Sequence, residues 1–278
     1  MIQRMAIRAP LLDNGYIRIK RCRRGLFIYN VNDRFIGQSL DKYGEWSESE
    51  MRFLGQFVSE GMTVLDIGAN IGTHTVYFAQ RVGPTGSVLA FEPQLVVYQI
   101  LNGNIAINGL SNVRALNAAV GRENGRVKIP TIDPTTLRNF GAVAIGREGS
   151  EVACYAIDGL PMTSLHFVKI DVEGYELEVL KGAKNTIERF RPILFVENNS
   201  DKSPELITHV RQMGYRGFWQ IGPHYDPDNY FKNKENIFEG YVPVANIICF
   251  PAERCPTGLF EAQEGDDWRK AVTRARAA

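Results

Sequence analysis

Val64-Leu65-Asp66-Ile67-Gly68-Ala69-Asn70-Ile71-Gly72-Thr73-His74-Thr75 is the stretch on which the fold turns. A short apolar run ends at Ile67, a turn carries Gly68 and Gly72, and a helical pattern follows over 73–82 until Gly83 stops it. Glycines at such a turn let the backbone bend tightly and let a ligand lie against it. The first turn of the helix offers unpaired N–H groups. In an open α/β sheet this is where ligands bind, beyond the carboxyl ends of the strands.

Outward from this stretch, the same alternation continues. A strand over 87–91 ends at Glu92-Pro93, a helix is predicted over 94–108 and a strand over 113–118. Segments 127–129 and 151–157 read as two strands flanking a loop. Residues 167–170 form a strand ending in Asp171, 175–190 a helix broken at Gly182, and 193–196 a strand ending in Glu197-Asn198. A helix over 204–213 precedes strands at 217–221 and 245–250. Strands alternating with helices build a parallel sheet with helices on both faces. The last two strands have no helix between them, so they pair antiparallel at one edge.

Residues before Gly61 stand outside this alternation. Residues 15–22 and 25–31 alternate apolar with polar side chains around Arg23-Arg24-Gly25, the pattern of a hairpin. Lys20, Arg21, Arg23 and Arg24 read as a solvated hairpin face, with contact to an anionic acceptor as the alternative. A helix is predicted over 47–59, with Ser47 and Glu50 as a capping box and Gly61 as its end. Residues 266–278 read as a charged, fraying tail helix. The expected organisation is a β-rich extension over 1–60, an α/β domain over 61–251 and a tail over 252–278.

The identity of the ligand follows from what the loop lacks. A dinucleotide reader shows G-x-G-x-x-G, whereas here the spacing is G-x-x-x-G with Asn70 in the middle, and no P-loop lysine follows. Asp66 would repel a pyrophosphate and suits a ligand carrying ammonium and sulfonium charge. Glu92, about twenty residues past the turn, stands where an acidic side chain accepts two ribose hydroxyls.

Composition narrows the partners. Hydrophobic residues are 44% and charged residues 23% of 278, which is ordinary for a globular chain with a sizeable core. The formal net charge of +1 supplies no broad basic field for nucleic acid. Cys22, Cys154, Cys249 and Cys255 show neither C-x-x-C spacing nor a His pair, so scattered thiols in a reducing cytoplasm are expected. The start of the chain reads as neither a signal peptide nor a transmembrane helix. A homo-oligomer stays open.

The motifs VLDIGANIGTHT, AFEP, KIDVEGYELEVLKGA, FVEN and NIFEGYVPVANIICFP together resemble the FkbM-type methyltransferases over roughly 43–251. The resemblance implies a Rossmann-like class I methyltransferase fold, a seven-stranded, mostly parallel sheet with one antiparallel strand. It implies S-adenosylmethionine as cofactor and O-methylation of a hydroxyl on a sugar, glycan or secondary metabolite. It further implies that Asp66, Gly68, Asn70, Gly72 and Thr73 line the methionine end, that Glu92 holds the ribose, and that Asn117 and Ala118 lie near the adenine.

A hydroxyl is a weak nucleophile and needs a base or a metal ion. Asp171 and Glu197 end neighbouring strands and His224 lies in a long loop, so these three are the catalytic candidates. Asp171, Glu173 and Glu197 could seat a divalent cation such as Mg2+, or act as one base and two cofactor or helix-capping contacts. Glu176 and Glu178 read as solvated. His74 reads as a contact to cofactor or acceptor, or equally as a packed histidine. Trp46, in Tyr43-Gly44-Glu45-Trp46, and Phe140, in the 130–150 loop, stack on an acceptor or simply pack. Competing readings are transfer to nitrogen or carbon, a nicotinamide-dependent oxidoreductase and a non-catalytic cofactor-binding protein. The missing G-x-G-x-x-G argues against the oxidoreductase, and the intact acidic positions argue against the last.

Overall fold

A computed structural model describes residues 9–277. Part of the reading of the chain's start falls on residues 1–8, outside the described residues, as does Ala278 of the expected tail. The strands are β1 (Leu12–Asp13), β2 (Ile17–Cys22), β3 (Gly25–Asn30), β4 (Thr63–Ile67), β5 (Ser87–Phe91), β6 (Val113–Leu116), β7 (Ala118–Val120), β8 (Gly125–Ile129), β9 (Ser150–Tyr155), β10 (Phe167–Ile170), β11 (Ile193–Glu197), β12 (Tyr215–Gly222) and β13 (Val244–Pro251). The helices are α1 (Ile36–Tyr43), α2 (Glu48–Leu54), α3 (Thr73–Val82), α4 (Leu95–Ile107), α5 (Glu176–Lys181), α6 (Lys184–Phe190), α7 (Ser203–Gln212) and α8 (Trp268–Ala277).

The central sheet has seven strands in the order β12-β13-β11-β10-β4-β5-β6. Only β13 runs against the others, since it is antiparallel to both β11 and β12. This is the expected mostly parallel α/β sheet with one reversed strand. The reversal has a local cause: β12 and β13 are joined by a helix-free loop, and only a crossover could bring the second strand back parallel.

Because side chains alternate along a strand, each strand feeds both faces. Leu65, Ile67, Val168, Ile170, Leu194 and Val196 join Val179, Leu180, Ile187, Leu206 and Val210 of the helices on one face. Val64, Phe167 and Phe195 join Met51, Leu54, Tyr77, Phe78 and Val82 on the other. The second face decides the chemistry. Asp66 and Lys169 share the parity of Val64 and Phe167, and they are register partners on adjacent strands. Both therefore point toward α3.

The N-terminal extension is docked by amide side chains. Asn104 of α4 accepts the Ile28 N–H at 2.7 Å and donates to the Ile28 carbonyl at 3.0 Å. Asn108, one turn later, does the same for Leu26, at 3.0 and 2.8 Å. Two side chains thus pair the edge of β3, which leaves no open template there. Lys20 bonds Asp41 at 2.9 Å, Arg23 bonds Glu45 at 2.7 Å and Arg24 pairs with Glu48. These three cations are struts within the extension and not a solvated face, whereas Arg21 of the same cluster is exposed.

Several boundaries depart from the expected ones. The extension is not simply β-rich: it also contains the unexpected helix α1. Its start is capped by Asp33, which accepts the Gly37 N–H at 2.9 Å. Helix α2 ends at Gly55 rather than near Gly61, and Ser47 lies at φ 49 with no side-chain cap bond. The strand expected over 113–118 breaks at Asn117, and β7 joins β9 and β8 in a separate three-stranded sheet. Helix α8 is not a frayed tail, since Ala271 and Val272 are buried in the main core. Glu176 is buried and accepts the Gly174 N–H at 2.9 Å, so it is not solvated.

Candidate active site

A cavity of about 480 Å3 opens at the carboxyl ends of β4, β5, β10 and β11. The chain leaves β4 for β5 and β6 on one side, then returns to place β10 on the other. The crevice is therefore the topological switch point of the sheet. Three of its bordering residues, Ser47, Asn70 and Glu173, hold φ values of 49°, 50° and 54°. Left-handed backbone at a residue other than glycine is strained, and here the strain collects around one cavity.

Glu92 sits at the end of β5 with 6% of its surface exposed. Its two oxygens accept the N–H groups of Asn70 at 3.0 Å and Gln94 at 2.8 Å. Burial nevertheless pushes its carboxyl up to about 7, against the pull of those two N–H groups. A carboxylate in that state favours a ligand that brings further donors. Gly68 makes the close approach possible: a Cβ there would stand 1.8 Å from the Asp171 carbonyl oxygen. Gly68, Asn70, Thr73, Glu92 and Ala118, all expected at the cofactor, border the cavity.

Asp66, Gly72 and Asn117 do not border it. Asp66 is fully buried, accepts the Thr75 hydroxyl at 2.6 Å and lies 3.6 Å from the Lys169 ammonium. Its strand parity turns it under the loop toward α3, so it shapes the first turn of that helix. Gly72 is the residue before α3, and a Cβ on it would meet Leu101 at 2.5 Å. Asn117 donates to the carbonyls of Glu92 and Pro93, both at 2.9 Å, and so braces the end of β5 from behind.

Asp171, Glu173 and Glu197 do come together, each offering an oxygen within 4.8 Å of the others. Their states differ. The Lys169 ammonium, 3.1 Å from Asp171 Oδ2, holds that carboxyl below its ordinary value against the effect of burial. Burial and the Asp171 charge push Glu173 up to about 8. The same two causes raise Glu197 well above the usual carboxylate range. The donor set is one that a hard divalent cation takes. Protons and one lysine already answer much of its charge.

The opposite wall is aromatic. Phe35, Trp46, His224 and Tyr241 border the cavity. The His224 ring stands 5.4 Å from Phe35, 5.9 Å from Trp46 and 5.3 Å from Phe238 between centroids. Its Nε2 lies 3.1 Å from the Val242 carbonyl oxygen, and its Nδ1 is buried with no partner. His224 thus packs as a ring in this wall, contrary to the expectation of a base. Phe140 is buried and its carbonyl accepts from Gln94 at 3.1 Å, which ties the 130–150 loop to the end of β5.

Three cavity residues have roles that the sequence pattern does not expose. Lys169 is 3% exposed in the middle of an apolar strand, and a lysine inside Phe-Val-Lys-Ile is the signal that could have found it. Glu50 reads as a cap, yet it bonds His74 Nε2 at 2.7 Å. Asn246 of β13 donates to Glu50 at 2.9 Å, and nothing in its local sequence announces it.

Comparison with known proteins gives a family match. Residues 66–218 match the family model described as the methyltransferase FkbM domain. Among curated relatives, methyltransferase sdnD of Sordaria araneosa is 30% identical over 43% of this chain and 59% of that protein. Hexuronic acid methyltransferase AglP of Haloferax volcanii is 27% identical over 58% of this chain and 65% of that protein. The chain spans about three fifths of the length of these relatives. A solved structure of an FkbM methyltransferase from Methylobacillus flagellatus KT superposes with a TM-score of 0.46 at 20% identity, covering 68% of this chain and 43% of that one. The segment matched by the family model begins at Asp66, takes in the glycine turn, Glu92 and the acidic strand ends, and fills more than half of the sequence: the chain belongs to the FkbM methyltransferase family.

Proposed function

We propose that the protein transfers a methyl group from S-adenosylmethionine to a hydroxyl oxygen of a sugar, glycan or secondary metabolite. The observation that carries this reading is Glu92, a buried carboxylate at the end of β5 that borders the cavity beside the Gly68–Asn70 turn. A ribose diol supplies the two O–H donors that such a carboxylate takes. Gly68, Asn70 and Thr73 would hold the methionine end, and Ala118 would adjoin the adenine. When bound, the cofactor supplies an activated methyl group on a sulfonium centre. What the chain must do is align the acceptor, exclude water and remove its proton.

The aromatic wall of Phe35, Trp46 and Tyr241 suits a sugar face, which stacks its C–H groups on rings. The hexuronic acid methyltransferase among the relatives supports a carbohydrate acceptor. Magnesium has no step in this reading. Four free thiols support a reducing, cytoplasmic setting. Among the described residues no helix is long and apolar enough to cross a membrane.

Calorimetric titration with S-adenosylmethionine and, separately, NADH tests the reading, each with and without magnesium. Binding of the sulfonium compound alone is expected. Binding of NADH alone, or of neither, sinks it.

A further inference from the structure

Four elements meet behind the first turn of α3. His74 Nε2 lies 2.7 Å from Glu50 Oε1, joining α3 to α2. The second oxygen of Glu50 accepts from Asn246 Nδ2 of β13 at 2.9 Å. The same amide nitrogen lies 3.0 Å from Gln220 Oε1 of β12. Glu50 and His74 are 5% and 6% exposed, and Glu50, His74 and Asn246 all border the cavity.

This chain of bonds has a direction. Asn246 donates to Oε2, and as a carboxylate Glu50 can only accept at Oε1 as well. Its hydrogen bond to His74 therefore places the ring proton on Nε2. The lone pair is left on Nδ1, for which no protein partner stands among the described residues. His74 itself borders the cavity, so Nδ1 is the ring nitrogen left for a ligand there. A carboxylate holding one nitrogen of an imidazole while the other faces a cleft is the arrangement that orients a histidine base.

The other candidates are placed differently. Asp171 Oδ2 is engaged by Lys169 at 3.1 Å, Glu197 accepts from Asn199 at Oε1 at 2.7 Å while its Oε2 is buried without a partner among the described residues, and His224 is packed among rings. His74 stands one residue past Thr73 and two past Gly72, at the end of the cofactor turn, on the same cavity as the aromatic wall.

We propose that His74 is the catalytic base of this site and Glu50 its positioning residue; the proposal rests on the methyl-transfer reading. The acceptor's O–H proton passes to His74 Nδ1 as the acceptor oxygen forms its new bond to the methyl carbon. The carbon–sulfur bond breaks with its electron pair left on sulfur, and the sulfonium becomes a neutral thioether. The imidazolium is compensated by Glu50 until its proton returns to water.

Diethyl pyrocarbonate, which acylates an imidazole nitrogen bearing a free lone pair, tests this without an acceptor. Modification is mapped by mass spectrometry in the wild type and in Glu50→Gln, with S-adenosylhomocysteine affinity as the measure of an intact site. The amide that Glu50→Gln introduces must turn its own N–H donors toward either the Asn246 donor or the His74 donor, and so disturbs the ring's tautomer. Acylation of His74 is expected, blocked by S-adenosylhomocysteine and at least tenfold slower in Glu50→Gln at unchanged affinity. An unreactive His74, or equal rates in the two proteins, overturns the proposal. Absence of S-adenosylhomocysteine binding by the wild type overturns instead the reading beneath it. On a hydroxyl acceptor, His74→Gln lowers kcat by about 10²–10⁴-fold. His74→Ala recovers activity with added imidazole, and failure of both effects also overturns the assignment.

Discussion

The ammonium of Lys169 lies 3.1 Å from Oδ2 of Asp171, its neighbour two residues along the chain. Strand alternation puts the two side chains on the same face of the sheet, and β4 brings Asp66 to 3.6 Å on the far side of the same nitrogen. One buried cation thus compensates one carboxylate under the cofactor turn and one at the cavity edge. Burial alone would drive the lysine toward neutrality, and the two carboxylates hold its pKa above the ordinary value instead.

Lys169→Met should therefore destabilise the fold by about 3–5 kcal/mol, the range seen when one partner of a buried pair is removed. The cost comes mainly from Asp66, which is fully buried and would keep only the Thr75 hydroxyl as a close polar partner. Adding Asp66→Asn to that variant should restore part of the loss, because the orphaned charge disappears. Urea unfolding of the two single variants and the double variant reads this directly. Additive losses would show that the two groups do not compensate each other.

Glu92 gives a pH dependence with a definite sign. Its carboxyl stands at about 7 in the folded chain, above the ordinary 4.5. Between these values the native state holds a proton that the unfolded state has lost, so this group's contribution to stability falls as pH rises through the window. Cofactor binding has the opposite slope, since the ribose hydroxyls need the ionised form. The Kd of S-adenosylmethionine should weaken by up to about tenfold per pH unit below 7 and level off above it. Titrations at about pH 6 in buffers of different ionisation enthalpy should show release of close to one proton. A flat profile would remove Glu92 from the ribose contact.

Gly68→Ala tests the loop itself. The new Cβ would fall 1.8 Å from the Asp171 carbonyl oxygen, and the residue holds φ +76°. Backbone on β4 or beyond β10 must move, and a positive φ disfavours alanine even where space exists. A loss of about 1–3 kcal/mol in stability is expected from strain of this kind. Because Asp171 moves with the loop, S-adenosylmethionine affinity should fall at least tenfold. Unfolding curves and calorimetry on the same preparation separate the two effects.

The sheet and the cavity floor are legible in the sequence because they depend on strict patterns. Short apolar runs, glycines at the turn and an acidic residue ending β5, β10 and β11 are local signals. What is not legible depends on neighbours remote in sequence. Asp66 reads as a ligand contact because its position in the motif is visible while its strand parity toward Thr75 is not. Glu50 reads as a helix cap because Ser47 precedes it by three residues, yet the backbone at Ser47 turns left-handed and releases Glu50 to His74. Asn246 and Gln220 acquire meaning only once β12 and β13 pair. Helix α1 is hidden although Ile36, Leu40 and Tyr43 carry helical spacing, since it is only two turns long and follows directly on a hairpin of alternating pattern.

His224 separates the two candidate histidines. Its loop position suggests a base, but its ring packs in a stack with Phe35, Trp46 and Phe238, and burial lowers its pKa. With Nε2 3.1 Å from the Val242 carbonyl and Nδ1 buried, neither nitrogen faces an acceptor. His224→Phe preserves the ring contacts and removes one hydrogen bond, so stability should fall by about 1 kcal/mol. Methyl transfer should stay within about tenfold of the wild type, where loss of a general base costs about 10²–10⁴-fold. Rates measured for His224→Phe and His74→Gln side by side, with cofactor affinity as the control, decide between them. A collapse of kcat in His224→Phe with affinity intact would return the proton to the loop and leave the Glu50–His74 pair a packing contact.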